Sequence, residues 1–202
     1  MNAQQIMDSD DFKRCEAFHG HVCGGLAIGY IAAMAGLDWL REKRALDEEL
    51  VAIVETDACC VDAIQVATGC TFGKGNLIYR DYGKMGFTIF NRRTGQGVRL
   101  AMKPDAFRAN ERQIELFGKT RDGSITEAEK AELKQIGMQR TAEVLDTRAD
   151  DLFSLTPVAA GMPDKARIEP STPCARCGEP TMASKLASVD GQGVCRGCLA
   201  EV

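Results

Sequence analysis

Four cysteines near the C-terminal end impose the tightest constraint on how this chain can fold. They form two C-x2-C pairs, Cys174–Cys177 and Cys195–Cys198. Two such pairs supply the four sulfur ligands of a tetrahedral site, with no position left open for water or substrate. The pattern predicts a structural metal site for folding. Zinc is the commoner occupant, a rubredoxin-like iron site has the same spacing, and unpaired or redox cysteines are the remaining alternative.

The segment that carries these cysteines is too short to form a hydrophobic core, so metal binding would supply its folding free energy. The runs Cys174-Ala-Arg-Cys177-Gly-Glu-Pro and Val194-Cys195-Arg-Gly-Cys198 resemble the DksA/TraR-type zinc finger. The transcriptional role of that family is not implied, because its acidic coiled-coil tip has no counterpart here. Basic and acidic residues are nearly balanced from residue 165 onward, so nucleic acid is not an expected partner.

Cysteine is abundant in the whole sequence. The 202 residues include nine cysteines but only two histidines, 45% are hydrophobic, and the net charge is -4. This composition predicts a globular chain with a sizeable core and no general attraction to anionic surfaces. Residues 1–14 do not resemble a signal peptide, and the glycine-rich run 19–37 is a weak candidate for a membrane span. In a protein that is not exported, abundant cysteine indicates metal or redox chemistry. We therefore expect a cytoplasmic protein without a membrane partner.

The order of predicted elements indicates an α+β fold. A helix is predicted from about Cys23 to Arg44, then a buried strand at Leu50–Glu55, and then a short helix with Asp57 as its N-cap. Three further strands, separated by Tyr-Gly and Thr-Gly turns, predict an antiparallel meander. These strands are Leu77–Tyr82, Met85–Arg92 and Gln96–Met102.

Two helices and a linker follow the predicted meander. Pro104 opens a helix that ends at Gly118, and a capping box of Thr126 and Glu129 begins another that ends near Asp146. Residues 155–173 contain four of the six prolines, which is typical of a linker. We therefore expect an antiparallel sheet with packed helices in residues 1–155, a linker at 156–173 and a small four-cysteine zinc finger at 174–202.

Both histidines and one further cysteine lie close together at the start of the first long helix. His19, His21 and Cys23 offer imidazole and thiolate, which are both metal ligands. A helix N-terminus also favours the thiolate form of a cysteine. The alternative is that the two histidines cap a helix.

Two other short segments place cysteines beside the ends of elements. Cys59 and Cys60 lie between the buried strand and the next helix, at an edge where ligands commonly bind. The loop 68–76 carries Cys70 and Lys74 but lacks the spacing of a phosphate-binding Walker loop. Each cysteine taken singly is best interpreted as a small buried apolar residue. Their concentration in short segments beside element ends favours a metal site.

These segments together resemble the FmdE family, named for a component of the molybdenum or tungsten formylmethanofuran dehydrogenase. The resemblance spans about residues 18–102. It rests on the runs His19-Gly-His21-x-Cys23-x-Gly25-Leu26-Ala27-x-Gly29-Tyr30, Asp62-Ala-Ile-Gln65 and Thr68-Gly-Cys-Thr-Phe-Gly-Lys-Gly-Asn76. It implies an α+β dimer with a metal-binding cleft, often fused to a C-terminal zinc finger. This sequence departs from the family at Gly24, where proline is usual.

The first functional hypothesis is a metal-dependent enzyme or accessory protein of the redox type. Three protein ligands would leave one open position on a transition metal, and mixed nitrogen and sulfur ligation suits zinc, iron or nickel. Cys59 matches the family pattern, whereas Cys60 occupies a variable position. The candidate ligands are His21, Cys23 and either Cys59 or Cys60, and the candidate catalytic groups beside them are His19, Asp62 and Lys74.

The second hypothesis is a non-catalytic adaptor that docks a larger molybdenum or tungsten oxidoreductase or a regulatory partner. A thiol-redox role for the adjacent Cys59 and Cys60 is the third. We also expect a homodimer, because the family resemblance implies one and because Gly25, Gly29 and Ala33 form a flat seam that another backbone can approach. The alternative is that this seam packs against the chain's own sheet.

Overall fold

A five-stranded sheet organises residues 1–165 in the computed structural model of this chain, which describes residues 1–200. Its strands are β1 (Leu50–Val54), β2 (Leu77–Tyr79), β3 (Gly86–Asn91), β4 (Gly97–Met102) and β5 (Phe153–Val158). They lie in the order β2-β1-β3-β4-β5. Neighbours are antiparallel except β1 and β2, which run parallel because a helix between them returns the chain to the same edge. The predicted α+β fold is confirmed, but the predicted antiparallel meander is wrong at its first strand, because β2 pairs with β1 and not with β3.

The helices of this unit cover the sheet. They are α1 (Ala3–Met7), α2 (Asp10–His19), α3 (Gly24–Leu40), α4 (Cys60–Thr68), α5 (Glu111–Asp122), α6 (Glu127–Asp146) and α7 (Ala149–Leu152). Helix α3 packs against β3 and β4 and also against α4 and α6. It is apolar over most of its surface, and ten of its seventeen residues are buried, so several elements can cover it. Within residues 1–200, no helix combines the length and apolarity that a membrane crossing requires.

Several predicted element ends differ from the structure. Helix α3 ends at Leu40, where Arg41 adopts a left-handed conformation with φ of 52°. The helix expected to open at Pro104 begins only at Glu111, because the side chain of Asn110 accepts a hydrogen bond from the Gln113 amide and caps it. It then runs past Gly118, so the predicted stop at that glycine is wrong. The predicted Thr126 capping box is confirmed.

Helix α4 begins later than predicted. Cys59, and not Asp57, is the residue that precedes its first turn, and no side chain caps it. The exposed Asp57 lies two residues before the cap. The first turn of α4 therefore presents Cys59 and Asp62 together.

Residues 156–158, expected to begin a linker, belong to β5 at one edge of the sheet. Pro157 lies opposite Val98 of β4. Proline cannot donate a hydrogen bond to a neighbouring strand, but an edge strand has one side with no neighbour. The proline at 157 therefore belongs to an edge strand.

The seam of small residues on α3 is filled by the same chain. A Cβ atom at Gly29 would lie 2.0 Å from the carbonyl oxygen of Cys60, and one at Gly25 would lie 2.9 Å from the Cβ atom of Cys59. Ala33 is fully buried. Helix α4 therefore occupies the seam, and our expectation that it offers a surface to a second chain is wrong.

Residues 166–202 form the second compact unit, of which Glu201 and Val202 lie outside the described residues. It contains two antiparallel hairpins and a short terminal helix. Their elements are β6 (Ser171–Pro173), β7 (Pro180–Met182), β8 (Leu186–Val189), β9 (Gln192–Cys195) and α8 (Arg196–Ala200). Hydrophobic side chains in this unit are mostly exposed or half-buried, and Val194 is the buried exception apart from Cys174 within residues 166–200.

Candidate metal centre

A tight turn between α2 and α3 brings together three potential metal ligands. Helix α2 ends at His19, and Gly20 reverses the chain in a left-handed conformation with φ of 91°. Cys23 then caps the start of α3, where its Sγ accepts a hydrogen bond from the Leu26 amide at 3.4 Å. One ligand atom each from His19, His21 and Cys23 lies within 4.8 Å of the others.

Helix α4 fixes the orientation of one of these ligands. Asp62 Oδ2 lies 2.7 Å from His19 Nδ1, and the His19 side chain is only 11% exposed. His19 Nε2 lies 3.7 Å from Cys23 Sγ. A carboxylate that engages one nitrogen of an imidazole leaves the other free to face a metal. The arrangement therefore has the form of a histidine ligand with its supporting carboxylate.

A second thiol approaches the cluster from α4. Although Cys59 is exposed as a residue, partial desolvation of its thiol raises its pKa, and the neighbouring Cys23 raises this pKa further through its charge and a hydrogen bond. Gly25 permits this approach because it has no Cβ atom to collide with the Cys59 side chain. Two thiolates this close repel one another unless a cation lies between them. A metal ion would supply that positive charge.

Two of the predicted site residues lie elsewhere. The Cys60 side chain is fully buried, its Sγ lies 3.7 Å from Met85 Sδ, and burial raises its pKa to about 12. Lys74 Nζ donates to the carbonyl oxygens of Asp47 at 3.0 Å and Leu46 at 3.4 Å, which ties it to the segment before β1. Among the described residues, neither belongs to the histidine–cysteine cluster, and Cys59 lies beside Cys23 but outside that group of three ligand atoms.

The remaining core cysteines have ordinary structural environments. Burial raises the pKa of both Cys15 and Cys70 to about 11, so both are neutral thiols at physiological pH. Both side chains are fully buried in the main hydrophobic core. They behave as small apolar residues.

Two cavities of opposite charge flank the cluster. The acidic cavity, of about 460 Å³, is lined by residues that include His19, Asp57, Cys59, Asp62, Gln65 and Tyr79. The basic cavity, of about 420 Å³, is lined by residues that include His21, Cys23, Phe107, Gln113, Lys134 and Arg140. The cluster therefore contributes side chains to both cavities.

Residues 18–154 match the family model described as FmdE, molybdenum formylmethanofuran dehydrogenase operon. This chain belongs to the FmdE family. The match includes the whole histidine–cysteine cluster, the sheet up to the start of β5, and the helices that line both cavities.

Two individual proteins are similar to this FmdE chain. A probable S-adenosyl-L-methionine-binding protein of Archaeoglobus fulgidus is 31% identical over an alignment of 194 positions that covers 92% of this chain and 51% of that protein. The chain therefore spans about half the length of this relative. A crystal structure of an FmdE-like protein from Syntrophus aciditrophicus, named for the tungsten formylmethanofuran dehydrogenase, aligns with 98% of this chain and 92% of that one, with 24% identity and a TM-score of 0.62. This second likeness supports the fold.

The C-terminal unit of this FmdE chain holds the second cluster. One Sγ atom each from Cys174, Cys177, Cys195 and Cys198 lies within 4.8 Å of the others. Hydrogen bonds from backbone amides, chiefly that of Cys177 and then those of Cys195 and Arg176, lower the pKa of Cys174 to about 6. The amides of Cys195 and Arg176 lie 3.2 and 3.4 Å from its Sγ. These amides stabilise a thiolate, the form that binds a metal.

Sequence reasoning missed the far wall of the basic cavity. Gln113, Lys134 and Arg140 lie on α5 and α6, about 90 to 120 positions after the cluster in sequence. Each lies in a stretch with the ordinary pattern of an amphipathic helix, so no local signal distinguishes it from a helix residue that lines no cavity. Only the tertiary packing of α6 against α3 places them beside Cys23.

Proposed function

We propose that the N-terminal unit of this FmdE-family chain holds one transition-metal ion and uses it in a redox enzyme or accessory role. The proposed ligands are His19, His21 and Cys23, with Cys59 as a fourth protein group. The observation that carries the proposal is the convergence of three ligand atoms within 4.8 Å, one of them on an imidazole held by Asp62.

The separation of two ligand atoms in the cluster suits a first-row metal. Metal–nitrogen bonds of about 2.0 Å and metal–sulfur bonds of about 2.3 Å place tetrahedral ligand atoms roughly 3.3 to 3.8 Å apart. The separation of 3.7 Å between His19 Nε2 and Cys23 Sγ lies in that range. Mixed nitrogen and sulfur donors suit zinc, iron or nickel.

This ligand set differs from our first hypothesis in two respects. His19 moves from a catalytic group to a ligand, because its free nitrogen faces Cys23. Cys59 takes the place beside Cys23, while the buried Cys60 is left out of the proposed set. Asp62 acts as the positioning residue that fixes the His19 ring. When bound, the metal supplies Lewis-acid or electron-transfer chemistry, and the cavities supply space for a reactant.

A second candidate function is a non-catalytic adaptor, favoured by the separate C-terminal unit. Its four thiolates leave no open position, so we infer a structural zinc ion that stabilises a docking module. The family description names a molybdenum formylmethanofuran dehydrogenase operon, and the Syntrophus protein is named for the tungsten enzyme. An oxidoreductase of this type is therefore the partner we propose under this alternative.

The name of the Archaeoglobus relative states that it binds S-adenosylmethionine, and we propose this molecule as a ligand to test on this chain. Its sulfonium and ammonium cations are favoured by negative charge and disfavoured by positive charge. The acidic cavity, with Asp57 and Asp62, suits these cations better than the basic cavity with Lys134 and Arg140.

Two further properties belong to the proposal. Cytoplasmic location is supported by all nine cysteines being free. The α3 seam no longer supports a homodimer, because α4 fills it. The support that remains is two exposed aromatic side chains at the acidic cavity, Phe72 with 77% and Tyr79 with 43% of its surface exposed. Sedimentation equilibrium at micromolar concentration tests it, and a single 21.9 kDa species would contradict it.

X-ray absorption spectroscopy on the full chain tests the metal assignment. The zinc of the C-terminal unit is loaded first, and nickel or ferrous iron is then added to the N-terminal site. The proposal expects a mixed shell at the nickel or iron edge, with nitrogen at about 2.0 Å and sulfur at about 2.3 Å. An all-sulfur shell, or no bound second metal, would favour the adaptor.

A further inference from the structure

The basic cavity has a one-sided charge. Among the lining residues in the described part of the chain there is no Asp or Glu, whereas Lys134 and Arg140 are both present. Lys134 makes no ion pair within residues 1–200, and Arg140 has a long one, of 4.0 Å, to Glu143 outside the lining. Gly24 and Gly25, in the first turn of α3, also line the cavity, and first-turn amides lack acceptors within their own helix. The cavity therefore offers positive charge and hydrogen-bond donors.

Two buried polar atoms of the cavity lining have no partner. Gln113 is 8% exposed and its Oε1 accepts no hydrogen bond, and the Nε of Arg140 donates none, within the residues that the structure describes. Buried polar groups in folded proteins almost always have a partner. Both residues line the basic cavity. Both atoms are closed off from solvent, so a side-chain rotation would have to precede their pairing with a ligand.

One wall of the cavity is a flat aromatic surface. The Arg140 guanidinium stacks 4.8 Å from the centroid of the Phe107 ring. The tip of that ring reaches the start of α3, where a Cβ atom at position 24 would lie 2.6 Å from Phe107 Cζ. Gly24 therefore lets the ring rest directly beside Cys23. Phe117 and Met138 add apolar surface.

We propose that the basic cavity binds a small organic carboxylate with a planar apolar body, and that it presents this molecule to the neighbouring metal. Lys134 and Arg140 attract the carboxylate, and Phe107 contacts the apolar body. The role in presentation rests on the proposed metal centre, whereas binding in the cavity does not.

Ligand-observed NMR titrations of the full chain test the binding with benzoate, benzamide and phenylphosphonate, which share a ring and differ in head group. Benzoate is expected to bind with a dissociation constant on the order of 1 mM, a value typical of so small a ligand. Benzamide is expected to bind about tenfold more weakly because it has no charge for the two cations. Equal affinity for benzamide and benzoate, or no benzoate binding, would overturn the proposal. Tighter binding of phenylphosphonate would overturn the carboxylate assignment in favour of a phosphate group.

Matched variants on α6 locate the site. Lys134→Gln is expected to weaken benzoate binding about threefold to tenfold, because it removes an unpaired cation from the cavity lining. Lys130→Gln is the control: it lies one turn earlier on the same helix and pairs with Glu127 outside the cavity. An equal effect of the two substitutions would place benzoate elsewhere.

A third variant separates this inference from the proposed function. In Cys23→Ser, benzoate binding is expected to persist while the N-terminal metal is lost. Persistent binding with unchanged metal content would overturn the metal centre and leave the carboxylate site standing. Lost benzoate binding with an intact fold would overturn the metal-independent carboxylate site.

Discussion

His19 Nδ1 lies 2.7 Å from Asp62 Oδ2, and this contact joins the end of α2 to the first turn of α4. The two residues are far apart in sequence, so the contact depends on the packing of these helices against each other. It leaves His19 Nε2 facing Cys23 Sγ. The orientation of the candidate metal centre is therefore set by a carboxylate that need not contact the metal.

Asp62→Asn is expected to lower the metal affinity of the N-terminal cluster by about 10-fold to 100-fold, because the imidazole loses its supporting charge. Competition with a chelator of known affinity measures this change. Asp57→Asn removes a carboxylate from the same acidic cavity but outside the contact with His19, and should leave affinity nearly unchanged. Equal losses in the two variants would mean that general cavity charge, and not the orientation of His19, supports the metal.

Cys59→Ser and Cys60→Ser should separate metal binding from packing. Cys59 is exposed and adjoins Cys23, so its substitution should lower metal affinity with little change in stability. Cys60 is fully buried, and a hydroxyl there should reduce the free energy of unfolding by about 1 to 3 kcal/mol without loss of metal. Metal analysis and urea denaturation of both variants measure this. The reverse pattern would assign the ligand to Cys60.

Gly29→Ala should be the more damaging of two matched glycine substitutions. Its Cβ atom would lie 2.0 Å from the backbone oxygen of Cys60, so α4 must move, at a cost of about 3 kcal/mol. The control, Gly118→Ala in α5, meets no atom within 4 Å and should stabilise by about 0.4 to 1 kcal/mol. Thermal unfolding of the two variants checks this. Similar unfolding temperatures would mean that α3 and α4 are less closely packed than described.

Glu55 and Arg99 should make stability depend on pH. Both carboxylate oxygens of Glu55 accept from Arg99, at 2.9 and 2.8 Å, and this pairing lowers the pKa of the buried carboxyl. Because the pKa of this carboxyl is lower in the folded than in the unfolded protein, its ionised form stabilises the fold at pH values above the unfolded pKa. This stabilisation is lost as the pH falls through the folded pKa. Glu55→Gln should therefore cost about 1.5 to 3 kcal/mol at pH 7 and less at pH 3.

Urea denaturation of chelator-treated protein at the two pH values, followed by fluorescence of the single tryptophan Trp39, measures the difference. Glu127→Gln breaks an exposed pair with Lys130 and should change stability by less than about 1 kcal/mol at either pH. A Glu55→Gln penalty that is equal at pH 7 and pH 3 would contradict the role of the ion pair.

Local chemistry made much of the fold predictable. Apolar runs and glycine turns predicted the strands β1, β3 and β4 to within one or two residues at each end. The Thr126 capping box predicted the start of α6, because its two hydrogen bonds involve only nearby residues. The prediction that Pro157 lies in a linker is wrong, because local sequence cannot distinguish a linker from an edge strand. The two differ only in whether a strand that is distant in sequence pairs with the segment.

The candidate site was predictable only where its residues are close in sequence. His19, His21 and Cys23 lie on one turn, so their proximity follows from sequence. Cys59 and Cys60 are neighbours in sequence, and only the packing of α4 on Gly29 decides which thiol faces the cluster.

Metal content per full chain tests the central claim most directly. Elemental analysis of the wild-type protein should give two ions per chain, one for each cluster. Cys23→Ser should retain the C-terminal zinc and lose the other ion, while Cys195→Ser, as the matched control, should lose the zinc alone. Circular dichroism should show the N-terminal unit folded in both variants. One ion in the wild type, or an unchanged count in Cys23→Ser, would contradict a metal centre at His19, His21 and Cys23.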